Sequence, residues 1–317
     1  MKIKQATNRA VQCMAVLVTA VLCLPAIGQD TEKLDTGEAV PAAEQGANRL
    51  PMQVMAGGSY QFKSDLDNGG HFSLWRFRTG LGVPVRINDQ FSVATSVKYE
   101  RDFYVWGGGL EPWSDINILT AVSLLQYRYD EHWLFYGGPI VRSAGESGEN
   151  LGNGTRAGGA LAVNYIANES LSYGGGIVVM GQIEEKTKVL PIITAKWKFT
   201  DDWMLDVGFT DLATGGYGAD VRWDFHPGWQ LAFGGQVHQS RFRIEGNGGT
   251  ANGVGQEKAF TLTTAVTWSP DKAFSADAFV GLVLGGRVEL DTANGTQLRD
   301  DKYDPTAIVG LKATYKF

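Results

Sequence analysis

The sequence predicts an all-β fold, a closed antiparallel up-and-down transmembrane β-barrel of about fourteen strands. Three observations carry this. From about Met52 onward, segments of roughly ten to fifteen residues alternate in polarity. The connections between them alternate between tight polar turns and longer loops rich in Gly, Asn and Asp. No apolar run after residue 28 approaches the ~20 residues of a spanning helix, so a chain entering lipid must satisfy its backbone by closing a barrel.

The N-terminus is read separately. Lys2, Lys4 and Arg9 precede an apolar stretch from Val11 to Leu24, and Ala26 and Gly28 supply small side chains before Gln29. This is the pattern of a secretory signal peptide over residues 1–28. A retained anchor is disfavoured by Gln12 and Pro25, and a lipoprotein by the bulky Leu22 before Cys23. Both cysteines, Cys13 and Cys23, fall inside the signal, which excludes disulfides, thiol catalysis and Cys-ligated metal from the mature chain. Loss of three positive charges and no negative one takes the formal charge from −6 to −9, which excludes nucleic acid as a partner. Residues 29–50 are polar and acidic with few aromatics and read as a flexible periplasmic leader, leaving 51–317 for the barrel.

The strands follow in order. The segments 52–63 and 71–86 are joined by a loop at 64–70, and 71–86 turns at Asn88-Asp89-Gln90 into 90–104. A loop at 105–114 leads to 115–129, and Asp130-Glu131-His132 turns it into 132–145. After a loop at 146–154 come 155–167 and 170–183, joined at Asn168-Glu169. Then follow 187–199, a turn at Asp201-Asp202, and 203–211 with 216–226, a short, weak hairpin whose omission gives the alternative count of twelve. His226-Pro227-Gly228 leads into 229–243, and a loop at 245–257 into 258–268. Ser269-Pro270-Asp271-Lys272 turns into 273–289, and a loop at 291–303 precedes the final strand, 304–317. In barrels of the outer-membrane type short turns are periplasmic and long loops face outward, which puts both ends of the barrel in the periplasm.

An aromatic or apolar residue follows each tight turn: Phe91, Trp133, Leu171, Trp203, Trp229 and Phe274. Tyr127, Tyr129, Trp197, Phe199, Trp223 and Phe225 approach the same level from the other side, as an interfacial girdle requires.

Period-two alternation divides every strand into two faces. On the last strand Ala307, Val309, Leu311, Ala313, Tyr315 and Phe317 form the apolar, lipid-facing set. The same parity turns Lys196 and Lys198 inward, and likewise Asp277 and Arg287. Arg76, Arg78, Lys98, Glu100 and Asp102 fall on the inner parity, as do Arg128, Arg142, Asp220 and Arg222. The expected lumen is therefore charged with both signs mixed, either a hydrated pore or a wall of self-neutralising pairs.

Catalytic chemistry is sparse. The four histidines form no metal-binding spacing, and no phosphate loop or nucleophile elbow occurs, so neither a cofactor nor a metal is expected. His238-Gln239-Ser240 resembles the His-x-Ser stretch of outer-membrane phospholipase A, but Arg241-Phe242 replace that family's Asn-Gly. Parity also points both side chains away from lipid, so no enzyme is expected.

The mature chain resembles bacterial outer-membrane β-barrel proteins, its terminal Ala313-Thr314-Tyr315-Lys316-Phe317 being similar to their assembly signal. The segments Tyr99–Tyr104, Leu284–Leu290 and Tyr303-Asp304-Pro305 resemble an uncharacterised family of such barrels, a domain of unknown function. The resemblance implies residence in the outer membrane, contact with its lipid, and recognition of Phe317 by the barrel-insertion machinery. The expected function is a passive, porin-like channel for small solutes. A closed structural or partner-binding barrel is the alternative, and a barrel lipid hydrolase the remote one.

Overall fold

A computed structural model describes residues 50–210, 215–245 and 252–317. The expected signal peptide and leader lie outside the described residues, apart from Leu50 at the leader's end. The strands are β1 (Gln53–Asp65), β2 (His71–Arg86), β3 (Phe91–Gly107), β4 (Ile116–Arg128) and β5 (Trp133–Glu146). They continue as β6 (Thr155–Asn168), β7 (Leu171–Gln182), β8 (Glu185–Lys198), β9 (Trp203–Thr210) and β10 (Gly216–His226). The last are β11 (Trp229–Arg243), β12 (Val254–Trp268), β13 (Phe274–Asp291), β14 (Gln297–Tyr303) and β15 (Thr306–Lys316).

From β1 to β14 each strand pairs antiparallel with its sequence neighbour, and β1 closes the sheet against β15, with Gln53 opposite Lys316 and Gln61 opposite Ile308. β14 and β15 lie end to end along β13, interrupted at Asp304-Pro305, so the fifteen segments make a closed barrel of fourteen staves. Reciprocal backbone bonds of 2.9 Å between Met52 and Phe317 seal the seam at the terminal end.

The tight turns have a common cause. Asn88, Asp130 and Asp271 each accept, through one side-chain oxygen, the backbone N–H groups two and three residues ahead. Thr200 does the same for Asp202 and Trp203. Such residues satisfy the donors that a reversing chain strips of ladder partners.

The aromatic girdle forms as expected. Contacts between rings run from Phe91 to Tyr127 and Phe135, and from Trp133 through Tyr165 to Tyr173. They resume from Trp197 through Phe199, Trp203, Trp223, Phe225, Trp229 and Trp268 to Phe274. Above this ring the outer surface is apolar, with Leu161, Ile193, Phe233 and Val280 all more than half exposed. On a water-facing wall that exposure would be penalised, whereas against acyl chains it is the stable arrangement.

The outward end departs from the sequence reading. Residues 254–257 and 297–303, expected as loop, are strand, so β12, β13 and β14 rise as a ladder beyond their expected length. Their polar side chains carry no lipid-facing period, but their backbones pair with one another all the same. Within β13 a bulge at Gly285, whose φ is +57°, shifts the register against β12. Below it Asp277, Phe279 and Val283 face inward. Above it the inward set becomes Val288 and Leu290.

Candidate functional site

The lumen is the candidate site, and its two ends differ. At the outer end side chains reach across it. Glu257 of β12, 1% exposed, accepts hydrogen bonds from the Tyr104 hydroxyl at 2.7 Å and the Tyr303 hydroxyl at 3.0 Å. Its carboxylate also lies 3.3 Å from Arg76 Nη2. Arg76 donates at 2.8 and 3.0 Å to the two oxygens of Asp102, a forked pair on neighbouring strands. Arg78 pairs in turn with Glu100.

Above these charges sits an apolar cluster. Trp113, from the β3–β4 connection, meets the Phe242 ring at 5.0 Å and the Tyr104 ring at 5.7 Å. Phe72, Ile116, Ile244, Leu290 and Tyr303 join them in one buried group. Two opposite staves also touch: Arg243 of β11 forms a backbone bridge with Gly145 of β5. Fourteen staves ~4.8 Å apart and tilted by ~40° would make a circular barrel roughly 28 Å across. Staves on opposite sides can share a backbone bridge only where the wall is drawn inward. Arg142 of β5 reinforces the pinch by donating to the Arg241 carbonyl at 2.9 Å and the Ser240 hydroxyl at 3.0 Å.

At the periplasmic end some of the inward charges meet solvent and others are buried in pairs. Lys98 and Lys198 are exposed, and Arg128 and Lys196 are partly so. Opposite signs pair along the wall: Arg222 meets Asp220 of its own strand at 2.5 Å and Asp206 of β9 at 3.5 Å, and Lys312 of β15 meets Asp277 of β13 at 3.1 Å.

The structure thus divides the residues singled out from sequence. Arg76, Arg78, Glu100, Asp102 and Arg142 stand in the outer closure. Lys98, Arg128, Lys196, Lys198, Asp220, Arg222 and Asp277 line the lower wall. Arg287 corrects the expectation: beyond the Gly285 bulge it shares a face with Lys258 and pairs with Asp300 at 2.9 Å, on the outside of the ladder. One extra residue reverses period-two parity for everything above it.

Sequence reasoning missed Glu257, Trp113 and Tyr303 because they lie in segments expected as loops. Arg241 and Arg243 carry lipid-side parity, yet the β7–β8 turn covers them: Arg241 donates to the Ile183 carbonyl at 2.8 Å and Arg243 to Glu184 at 2.5 Å. Tyr104 was the detectable one, an aromatic phenol on the inner parity beside Asp102.

His238 and Ser240 face inward as expected. The Ser240 hydroxyl is taken by Arg142, and among the described residues His238 Nε2 has no hydrogen-bond partner, so the two do not form a nucleophile–base pair. Among the described residues no cluster of His, Cys, Asp and Glu could hold a metal.

The fold and lumen together define a closed transmembrane-type β-barrel with a mixed-charge interior. No protein-family model and no curated protein matches the chain. Similar solved structures include an outer membrane channel from Pseudomonas putida F1, at 10% identity over 88% of this chain and 100% of that one, with a TM-score of 0.46. A Pseudomonas aeruginosa FadL homologue is 12% identical over 84% of this chain and 90% of its own, with a TM-score of 0.47. The P. putida toluene transporter TodX is 9% identical over 84% and 90% respectively, with a TM-score of 0.45.

Proposed function

We propose that the chain is a non-enzymatic channel of the bacterial outer membrane. Its lumen is a hydrated, mixed-charge vestibule on the periplasmic side, for small solutes, with a closure at the outer end. The exposure of Lys98 on the inner face of the wall carries this reading, because an ammonium group is held there only where water reaches it. Phe317, 48% exposed at the base of the lipid face, is offered to the barrel-insertion machinery from the edge of the girdle. The test is conductance of the purified barrel in planar bilayers. Brief openings whose cation preference rises in Lys98→Glu support the channel, and a barrel that never conducts, with the closure intact or broken, refutes it.

The outer closure itself favours a second reading, a closed structural barrel whose outward ladder binds a partner. Permanent closure with the Glu257 cluster disabled would establish that reading instead.

A further inference from the structure

Charge is not spread evenly around the inner wall. The consecutive strands β4 to β8 carry only two carboxylates, Glu146 and Glu185, both at their outer ends. Bases stand on the inner parity of the same strands in two tiers. Arg128, Lys196 and Lys198 form the periplasmic tier, and Arg142, Arg156 and Lys188 the outer one. On β8 the tiers are eight residues apart, from Lys188 to Lys196, roughly 26 Å along the strand.

On the remaining strands the lumen's acids are met by bases. Asp206 and Asp220 are held by Arg222, Asp277 by Lys312, Asp102 by Arg76 and Glu100 by Arg78. The outer tier is held differently. Arg142 donates to the Ser240 hydroxyl and the Arg241 carbonyl, Arg156 to the carbonyls of Asn153, Thr155 and Gln182, and Lys188 to the side-chain oxygen of Gln239. Among the described residues these acceptors are all uncharged, so the tier is a surplus of positive charge set into the wall. His238, two residues from Ser240 on the inner face of β11, leaves its Nε2 without a hydrogen-bond partner among the described residues.

Register joins this surplus to the vestibule. Lys98, Thr120, Arg142 and Arg156 stand opposite one another in a single row across β3 to β6. Because barrel strands tilt, the row climbs from the exposed Lys98, midway along β3, to Arg156 at the outer end of β6. Arg142 and Arg156 are directly opposite, a like-charged pair that weakens the sheet, and an anion beside them removes that repulsion. Between the tiers the inner wall is uncharged, with Ile140, Ala160, Ala162, Val178 and Leu190, while Asn164 and Thr194 satisfy each other at 2.7 Å. Such a wall accepts the apolar body of a solute and does nothing to replace the hydration shell of an inorganic ion.

We propose that β4 to β8 form an anion track, along which small organic anions, carboxylates with an apolar body, move between the periplasmic tier and the Arg142–Arg156 pair. The proposal rests on the lumen being a passage. It names the solute class that the passage selects.

The test is the reversal potential of the purified full-length barrel in planar bilayers, under a gradient of potassium chloride and then of potassium hexanoate. The wild type prefers the anion in both salts, and hexanoate permeates at least as well as chloride. Arg142→Gln and Arg156→Gln, each confirmed as folded by heat-modifiable migration, lower the preference for hexanoate over potassium several-fold. A wild-type barrel that prefers potassium overturns the track and leaves the channel standing, whether or not the variants fold. Passage of chloride with hexanoate excluded overturns the organic solute class. Anion preference that survives both substitutions in folded barrels overturns the assignment to this arc. A barrel that never conducts overturns the channel itself, and the track with it.

Discussion

Glu257→Gln is the sharpest perturbation of the outer closure, because it keeps the side chain's size while removing its charge and turning one of its two accepting oxygens into a donor. Glu257 accepts two phenolic hydrogen bonds at 2.7 and 3.0 Å, from strands on separate parts of the wall. Bonds to an ionised acceptor contribute ~1.5–3 kcal/mol against ~0.5–1.5 for neutral pairs, so each weakens by about 1 kcal/mol. Arg76 adds little to the loss, since its fork on Asp102 survives and its contact with Glu257 is the longer one, 3.3 Å. The closure should weaken by about 2 kcal/mol, which multiplies the open population roughly 30-fold. Single-channel recording in planar bilayers reads this as the fraction of time spent open. The wall should be unaffected, because its ladders do not pass through Glu257's side chain. An open fraction within twofold of wild type would refute the reasoning, since the cluster would then not be what holds the outer end.

Deleting Phe317 should lower the amount of heat-modifiable barrel in the outer membrane while leaving export across the inner membrane intact, measured by fractionation. It removes both the last girdle ring and the two backbone bonds to Met52. Gly138→Val should impair folding, lowering the temperature at which the barrel unfolds on gels. A Cβ at Gly138 would lie 1.9 Å from the Ser123 carbonyl oxygen, which only a shift of β4 against β5 relieves, at about 1–3 kcal/mol. The contact of the β7–β8 turn with β11 should loosen in acid. The hydrogen bond from Arg243 holds the Glu184 carboxyl below the ordinary carboxylate range. A carboxyl depressed by folding stabilises above its unfolded value and loses that contribution as pH falls through the folded one. Amide exchange at Ile183–Glu185 should therefore rise only below the usual carboxylate range, and a rise near neutrality would contradict the assignment.

The fourteen staves were legible because two local rules agree at each of them. Turn residues such as Asn88 and Asp130 satisfy their own backbone, and strict alternation sorts side chains such as Leu311 and Lys312 onto opposite faces. Lipid makes alternation informative, since a charge such as Lys196 has only one side on which to stand. Above the membrane that sorting ends. Val254–Glu257 and Gln297–Tyr303 have no reason to alternate, and they read as loops although their backbones form a ladder. The Glu257 cluster was hidden for that reason, and Arg287 was misplaced because the bulge at Gly285 is one glycine among many in the sequence.

The sequence by itself determined the barrel, its closure at Phe317, its girdle and the sign-mixed inner wall, all properties of neighbouring residues and of the solvent each face meets. Tertiary structure alone decided that β11 is drawn in to touch β5 and that Glu257 gathers Tyr104, Tyr303 and Arg76. Those depend on which staves face one another across the lumen and on where a ladder stops. Such contacts join residues far apart along the chain, and no local period records them.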